Sequence, residues 1–251
     1  MGSSVFLRCN LETLAVKEGN DVYDNRDNCN AIIETATNTL VCGCKNTIIP
    51  ETTTCIGQYA FEGCPGLESI KIPNSVKKIE TGAFASSDLV TITIPESITS
   101  IEDEVFSSCE NLVSVIIPEG VTNIGREAFH SCYKLVSITL PKSVTNINNY
   151  AFGYCNNLEF ITVMATVPPV LTDHIGVSAE LPVYVPEESV SSYKNAEFWT
   201  DLNIIGKDMT SISDVITDRA NKTTYKMFSH DGKLIIRKAD KTYDLHGVEM
   251  R

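Results

Sequence analysis

Residues 125–163 read GREAFHSCYKLVSITLPKSVTNINNYAFGYCNNLEFITV and state one pattern twice. An Ala-Phe pair followed by Cys and Leu occurs first around Phe129 and again, 23 residues later, around Phe152. A unit this short cannot bury its own apolar edge, but stacked copies share one continuous core. The pattern therefore predicts a chain of stacked coils.

Two residue types keep the same register over most of the chain. Successive prolines are spaced 23, 22, 23 and 23 residues apart, and successive phenylalanines are spaced identically, which identifies a true internal repeat. The consensus is L-x-x-I-x-I-P-x-x-V-x-x-I-x-x-x-A-F-x-x-C. The repeated residues are Pro50, Pro73, Pro95, Pro118 and Pro141, with Phe61, Phe84, Phe106, Phe129 and Phe152.

Each part of the consensus has a physical role. I-x-I is a strand of period two, and the following proline ends its hydrogen-bond ladder. V-x-x-I and A-F-x-x-C are expected to return the chain through loops or short 3₁₀ segments, with Phe in the wide middle of the coil. The in-phase cysteines are expected to fill a small apolar site in the core. The prediction is a mostly β solenoid with a parallel ladder.

Eight ladder strands are expected, and LPVYVP (181–186) looks like the last of them. Phe6 and the residues after it repeat the offsets of Phe84, which predicts that the chain begins inside a repeat. We therefore expect an upstream segment, including any signal peptide, to have been removed. The predicted strand ends are Val16, Ile49, Ile72, Ile94, Ile117, Leu140, Val163 and Val185.

Two segments interrupt the repeat within the predicted solenoid, residues 1–206. Residues 17–46 are predicted to insert a β-hairpin that turns near Thr37-Asn38 and sits as a flap at one edge. Residues 186–206 break the register with a helical stretch. Its aromatic residues are expected to cap the last coil, with a carbohydrate platform at Trp199 as the alternative.

Residues 207–251 are predicted to form a small antiparallel β module. Alternating apolar residues surround turn signals at Asp231-Gly232 and His246-Gly247, which favours a meander of three or four strands. A module of this size is too small to be firmly stable alone.

The composition narrows the classes of partner. The chain is 43% hydrophobic, enough for a real core, and its net charge of −12 repels phosphate backbones, so nucleic acid is not expected as a partner. No apolar run reaches the roughly 18–20 residues of a membrane span.

No motif for catalysis, nucleotide binding or calcium binding is present, so we expect no enzyme activity, no metal and no cofactor. Cys29, Cys42 and Cys44 are interpreted as buried thiols, with a disulfide or a metal site as less favoured alternatives. The consecutive acids 102–104 are interpreted as a solvated face. The histidines, interpreted as solvated or packing residues, are His130, His174, His230 and His246.

The outward positions of the predicted ladder are rich in hydroxyl groups and nearly uncharged. Neighbouring Ser and Thr side chains suit a β-sheet without any ligand. The functional interpretation is a flat contact surface for an extracellular protein or glycan. The candidate ligand-binding residues are Ser69, Lys71, Thr91, Thr93, Ser114, Ile116, Ser137, Thr139, Phe160 and Thr162.

IPNSVKKIETGAFASSDLVTITIP (72–95) and its copies resemble the BspA-like, or treponemal-type, leucine-rich repeats of gut and oral anaerobes. Residues 22–50 resemble the hairpin-bearing repeat of that family, residues 183–206 its terminal segment, and residues 233–251 C-terminal modules of secreted Gram-negative proteins. The resemblance implies a right-handed leucine-rich-repeat solenoid. Pro73 and its equivalents depart from ordinary leucine-rich repeats, which have Asn or Cys in the corresponding segment.

The family implies secretion or display at the outer-membrane surface, and adhesion without catalysis. The leading hypothesis is therefore a non-enzymatic binding protein whose ladder contacts host or microbial protein or glycan. The alternative is a structural spacer or scaffold within a surface assembly.

Overall fold

The computed structural model describes residues 9–209 and four strands beyond them, and the chain divides into two compact units, Met1–Lys207 and Asp208–Arg251. Phe6 and the turns at Asp231-Gly232 and His246-Gly247 lie outside the described residues. The strands of the first unit are β1 (Tyr23–Asp24), β2 (Ala31–Glu34), β3 (Thr39–Gly43), β4 (Cys55–Ile56), β5 (Lys78–Ile79), β6 (Thr91–Thr93), β7 (Ser100–Ile101), β8 (Ser114–Ile116), β9 (Asn123–Ile124), β10 (Ser137–Leu140), β11 (Asn146–Ile147), β12 (Phe160–Val163), β13 (Val170–Leu171), β14 (Pro182–Pro186) and β15 (Asn203–Lys207).

The I-x-I segments form the predicted parallel ladder. β6 pairs with β8, and a four-stranded sheet runs in the order β10-β12-β14-β15. The register places equivalent repeat positions side by side, as with Ser137 beside Phe160 and Thr139 beside Thr162. A parallel ladder in phase with the repeat is confirmed.

Three of the eight predicted ladder strands are absent from the described residues. The segments ending at Val16, Ile49 and Ile72 carry no assigned strand, although Ile49 and Ile72 are still buried. The alternating sequence pattern of these segments requires only that their apolar side chains point into the core. It does not require their backbones to pair as strands. The hydrogen bonds between these coils are made elsewhere, for example from the Phe61 amide to the Ala83 carbonyl.

A second parallel sheet, not predicted from the sequence, runs through the V-x-x-I segments. Its two-residue strands stack in the order β13-β11-β9-β7, and β4 and β5 pair in the same way. The expectation of loops or 3₁₀ segments here is therefore wrong. The second residue of each strand, Ile in most coils and Leu171 in β13, is buried in the core. Each short strand therefore pairs its backbone groups and also supplies an apolar side chain to the interior.

The A-F-x-x-C segments form a third set of bonds between coils. The amide of each Phe donates to the equivalent carbonyl of the next coil, as from Phe129 to Ala151 at 2.8 Å and from Phe152 to Ile175 at 2.9 Å. The residues two before and two after each Phe have positive φ, for example Glu127 at 54° and Ser131 at 57°. Each outer turn therefore combines two left-handed residues with hydrogen bonds to the next coil.

The phenylalanines form a continuous stack through the solenoid. Successive ring centroids lie 5.1, 5.8, 5.4 and 5.7 Å apart, and adjacent rings are nearly parallel. All five rings are buried, so the prediction that Phe fills the middle of the coil is confirmed.

The inserted hairpin is part of the solenoid, not a flap. β1, β2 and β3 pair antiparallel around a turn at which Asn38 has a φ of 54°, and β3 then pairs in parallel with β4. Leu40 thereby takes the isoleucine position of the second sheet beside Ile56. Gly43 lies where other coils have Phe, because its amide donates to the Ala60 carbonyl as the Phe61 amide does to Ala83. A Cβ at Gly43 would lie 2.0 Å from the Phe61 ring, so only glycine fits there.

The terminal segment caps the core and then extends the ladder. Between β14 and β15 lie α1 (Val190–Lys194) and 3₁₀ turns at Glu187–Ser189 and Trp199–Asp201, with a further 3₁₀ turn at Arg26–Asn28 near the hairpin. β15 pairs in parallel with β14, so the expectation that 181–186 is the last ladder strand is wrong. Trp199 is only 1% exposed, which excludes the alternative of a carbohydrate platform at this residue.

Among the five coils that contain Phe61 to Phe152, one is a residue shorter than the others, and the shortening lies in an outer loop. Between the Cys or Ser position and the following Leu, the other four coils have two residues, whereas this coil has Asp88 alone. The Asp88 carboxylate accepts hydrogen bonds from the Gly66 amide at 2.8 Å and the Asn111 side chain at 3.2 Å. A single side chain thus bonds to both neighbouring coils.

The described part of the second unit is a four-stranded antiparallel meander, in agreement with the predicted β module. Its strands pair in chain order. They are β16 (Thr224–Phe228), β17 (Leu234–Lys238), β18 (Lys241–Tyr243) and β19 (Glu249–Met250).

Candidate functional site

The structure brings most of the predicted ligand-binding residues onto one face, here called the ladder face. β6 and β8 place Thr91 beside Ser114 and Thr93 beside Ile116. Ser69 and Lys71 are exposed but lie outside any assigned strand. Most of the other residues of this face are half-buried, and Thr93 and Thr139 are exposed, which leaves a shallow surface of mainly small side chains.

Thr162 does not belong to the accessible part of the ladder face. It is 1% exposed, and its hydroxyl is buried with no hydrogen-bond partner among the described residues. Thr162 lies in register between Thr139 and Tyr184, in the middle of the four-stranded sheet. It is therefore not available to a ligand, and its inclusion among the contact residues is wrong.

The C-terminal end of the ladder face carries larger side chains, of which the sequence predicted Phe160 but not Tyr184, Ile205 or Lys207. The rings of Phe160 and Tyr184 meet edge to face, with centroids 5.6 Å apart. Lys207 places its ammonium 4.9 Å from the Tyr184 ring centroid, and Ile205 is 37% exposed on the neighbouring strand. Extending the alternation of the ladder through β14 and β15 would have found Tyr184, Ile205 and Lys207.

The in-phase cysteines are structural and unreactive. None of the nine cysteines is in a disulfide, and Cys64, Cys109, Cys132 and Cys155, at the repeat position, are buried in the core. Cys132 donates to the Phe106 carbonyl at 3.2 Å, and Cys155 to the Phe129 carbonyl at 3.1 Å. Burial raises the pKa of Cys155 to about 12, so its nucleophilic thiolate is scarce at neutral pH.

The cysteine cluster of the hairpin has the same character. Cys29, Cys42 and Cys44 are buried thiols, as predicted. The Cys44 thiol donates to the Asn30 carbonyl at 3.4 Å, and burial raises the pKa of Cys42 to about 11. Over residues 9–209 and the strands beyond them, no three His, Cys, Asp or Glu side chains converge as a metal site would require.

The acids at 102–104 are not a simply solvated face. Arg126 forms ion pairs with Glu104 and Glu127, and its amide donates to the Asp103 carboxylate at 2.7 Å. These charges join consecutive coils across the outer turns, so their function is structural.

The described histidines lie near the C-terminal end of the solenoid. His130 contacts the Tyr154 ring edge to face at 5.1 Å, and His174 contacts Phe198 at 5.7 Å. Both have packing partners, as expected. His230 and His246 lie outside the described residues.

The described helices include none with the length and apolar character needed to cross a membrane.

Comparison with known proteins places these repeats in a family. Residues 33–159 match six copies of the family model described as the BspA type leucine rich repeat region. No curated protein matches the chain. A leucine rich cell surface protein from Faecalibacterium prausnitzii A2-165 is 34% identical with a TM-score of 0.58, over 64% of this chain and 44% of that one.

Two more distant solved structures share the fold. A leucine-rich repeat protein from Eubacterium ventriosum is 22% identical with a TM-score of 0.51, over 64% of this chain and 51% of that one. The pneumococcal vaccine antigen PcpA is 18% identical with a TM-score of 0.50, over 79% of this chain and 51% of that one. This chain thus spans about half the length of these proteins or less. From the family match and the coil geometry, the chain belongs to the BspA-type leucine-rich repeat family.

Proposed function

We propose that this protein is a non-catalytic binding module of a bacterial cell surface, and that its ladder face contacts an extracellular protein. The family supports this proposal, as does the solved relative from Faecalibacterium prausnitzii, which is named a leucine rich cell surface protein. This chain spans 44% of that relative, so the proposal concerns the module and not a whole surface protein.

The observation that carries the proposal is the cluster at the C-terminal end of the ladder face. Phe160, Tyr184 and Ile205 present aromatic and aliphatic surface on three adjacent strands. Lys207 and the exposed Asn203 border them with polar groups. Protein interfaces have this arrangement, in which an apolar centre rich in aromatic residues lies inside a polar rim.

The rest of the ladder face suits a broad contact around that centre. Its small Ser and Thr side chains allow a partner to approach closely and lose little conformational entropy on binding. Such contacts exclude water around an anchor but contribute little energy themselves. The cluster is therefore expected to dominate the affinity.

The test is to measure binding to immobilised fibronectin, laminin, collagen and fibrinogen, and to compare Ile205→Asp with Val170→Asp. Val170 is a matched control, because it is 61% exposed on a strand of the second sheet. A charge placed in the apolar centre should weaken binding about tenfold or more, equivalent to about 1.4 kcal/mol. The control variant should bind like the wild type.

Equal binding by the two variants would contradict the ladder-face assignment. If none of the four proteins binds and the native protein is isolated within a larger surface assembly, the spacer or scaffold role replaces the proposal.

A further inference from the structure

The exposed tyrosines of the described residues cluster in two adjacent coils. They are Tyr133, Tyr150 and Tyr154. They belong to the outer turns around Phe129 and Phe152, on a different side of the coil from the ladder face. This placement separates them from the surface proposed above to bind protein.

Tyr154 occupies a position at which the other coils have small residues. Two residues after each Phe the backbone has positive φ, and Tyr154 adopts 58°. This conformation is unfavourable for a residue with a bulky side chain. Its ring is 64% exposed, so core packing does not compensate for the choice. The residues at this position in the other coils are Gly63, Ser86, Ser108 and Ser131.

The exposed ring is nevertheless held in place. The His130 imidazole contacts it edge to face at 5.1 Å, and His130 Nδ1 lies 3.0 Å from the Ser131 hydroxyl oxygen. Gly153 leaves room for the imidazole, since a Cβ there would come within 2.8 Å of the His130 ring. An exposed aromatic ring fixed in this way has already lost the freedom that binding would otherwise remove.

The coil segment that carries Tyr154 is itself uncharged, in contrast to the preceding coils. Residues 143–158 contain no charged side chain and five asparagines, in a chain that is 21% charged. At the position two residues before the repeat Phe, two earlier coils have Glu104 and Glu127, whereas this coil has Tyr150. The ion-paired outer surface thus gives way to tyrosine and amide groups in one coil, where Asn156 and Asn157 are exposed.

We propose that Tyr154, with Tyr150 and the neighbouring asparagines, forms a second binding site that takes a neutral carbohydrate. The C–H face of a sugar ring stacks on an aromatic ring, and its hydroxyl groups exchange hydrogen bonds with side-chain amides, which both donate and accept. Residues 143–158 offer no charged side chain that could form an ion pair with a charged ligand. The site is independent of the ladder face and adds a second activity to the protein.

The test is native electrophoresis of the whole chain in gels that contain galactomannan, xyloglucan or dextran, with polygalacturonate as a charged comparison. Tyr154→Ser is the informative variant, because three other coils have serine at this position with positive φ. An unchanged melting temperature will show that the variant is folded. Ile205→Asp is the control, since it alters the ladder face alone.

The wild type should be retarded by at least one neutral polysaccharide. The dissociation constant should rise about tenfold in Tyr154→Ser, the loss expected for an aromatic stacking contact, and stay unchanged in Ile205→Asp. Absence of retardation in all three neutral gels, equal retardation of Tyr154→Ser, or stronger retardation by polygalacturonate would overturn the proposal. None of these results bears on the ladder-face proposal, which rests on binding to proteins.

Discussion

At the scale of single residues, Phe and Cys together form the interior of each coil. The Phe ring stacks on those of the neighbouring coils, and its carbonyl accepts the thiol of the next coil's cysteine, as Phe84 does from Cys109 at 3.1 Å. The cysteine therefore fills a narrow site and satisfies a buried acceptor at once. Ser87 replaces cysteine in one coil, and its hydroxyl lies 3.5 Å from the Cys109 sulfur.

Phe129→Ala is expected to lower the free energy of unfolding by about 3–5 kcal/mol, because it leaves a cavity between two rings of the stack. Phe129 is fully buried between Phe106 and Phe152, with centroid distances of 5.4 and 5.7 Å. Equilibrium unfolding in urea, followed by circular dichroism, measures the change. Thr139→Ala, at an exposed ladder position, should cost less than about 0.5 kcal/mol. Equal losses would mean that the inward and outward positions are exchanged.

At the scale of elements, the terminal segment closes the core with two buried aromatic residues. Tyr193 and Trp199 meet edge to face at 4.9 Å. The Tyr193 hydroxyl donates to the Ala165 carbonyl at 2.7 Å, and Trp199 Nε1 donates to the Pro169 carbonyl at 2.8 Å. The cap thus satisfies backbone acceptors of the preceding coil while covering its apolar side chains.

Tyr193→Phe is expected to destabilise the cap by about 1–3 kcal/mol, because it leaves a buried carbonyl without its donor. Trp199 is the only tryptophan of the chain, so its fluorescence reports on this element. The midpoint of the fluorescence transition in urea should fall to a lower concentration. Tyr133→Phe, at an exposed ring, is the control and should leave the midpoint unchanged. An unaltered midpoint in Tyr193→Phe would show that the hydroxyl contributes nothing to the cap.

At the scale of the whole molecule, three sets of backbone bonds join the coils of the first unit. They run through the ladder, through the V-x-x-I strands and through the outer turns. Such a stack gains its stability from neighbouring repeats, so the coils protect one another's interiors. Seven of the nine cysteines are buried. The rate at which the thiols react with an external reagent therefore reports whether the coils are packed against one another.

Native protein treated with Ellman's reagent at pH 8 is expected to show one fast thiol, because Cys9 alone is exposed. Cys55 is half-buried, and burial raises its pKa to about 11, so it should react slowly with the rest. In denaturant all nine should react. Cys9→Ser should remove the fast phase, and two or more fast thiols in the native protein would contradict the closed stack.

The fold could be predicted from the sequence in the coils where proline and phenylalanine recur at the same spacing. Proline and phenylalanine located the coils and the ladder. The second sheet was missed because two-residue strands such as Lys78–Ile79 show no alternation. β15 was missed because residues 203–207 follow a helix and carry no proline to mark the phase. The second sheet and β15 both form through pairing with strands that are distant in the sequence, which a local sequence pattern does not show.

The candidate site was predictable in its position but not in its accessibility. The period-two alternation correctly placed Thr139 outward, but it treated Thr162 as equivalent although Thr162 is buried. The aromatic cluster depends on β14 and β15 joining the sheet, which the repeat pattern did not indicate. The uncharged outer turn at 143–158 was visible in the sequence from the start, but its exposure required the structure.

The loop at Asp88 has a consequence for how this family of coils can change length. The paired ladder strands, the V-x-x-I strands and the outer turns are bonded to neighbouring coils in register, so an added or lost residue in any of them would shift that pairing. The loop between the Cys or Ser position and the following Leu absorbs a deletion by bonding through one carboxylate. It is the natural place for insertions and deletions, and for grafting a foreign peptide without disturbing the stack.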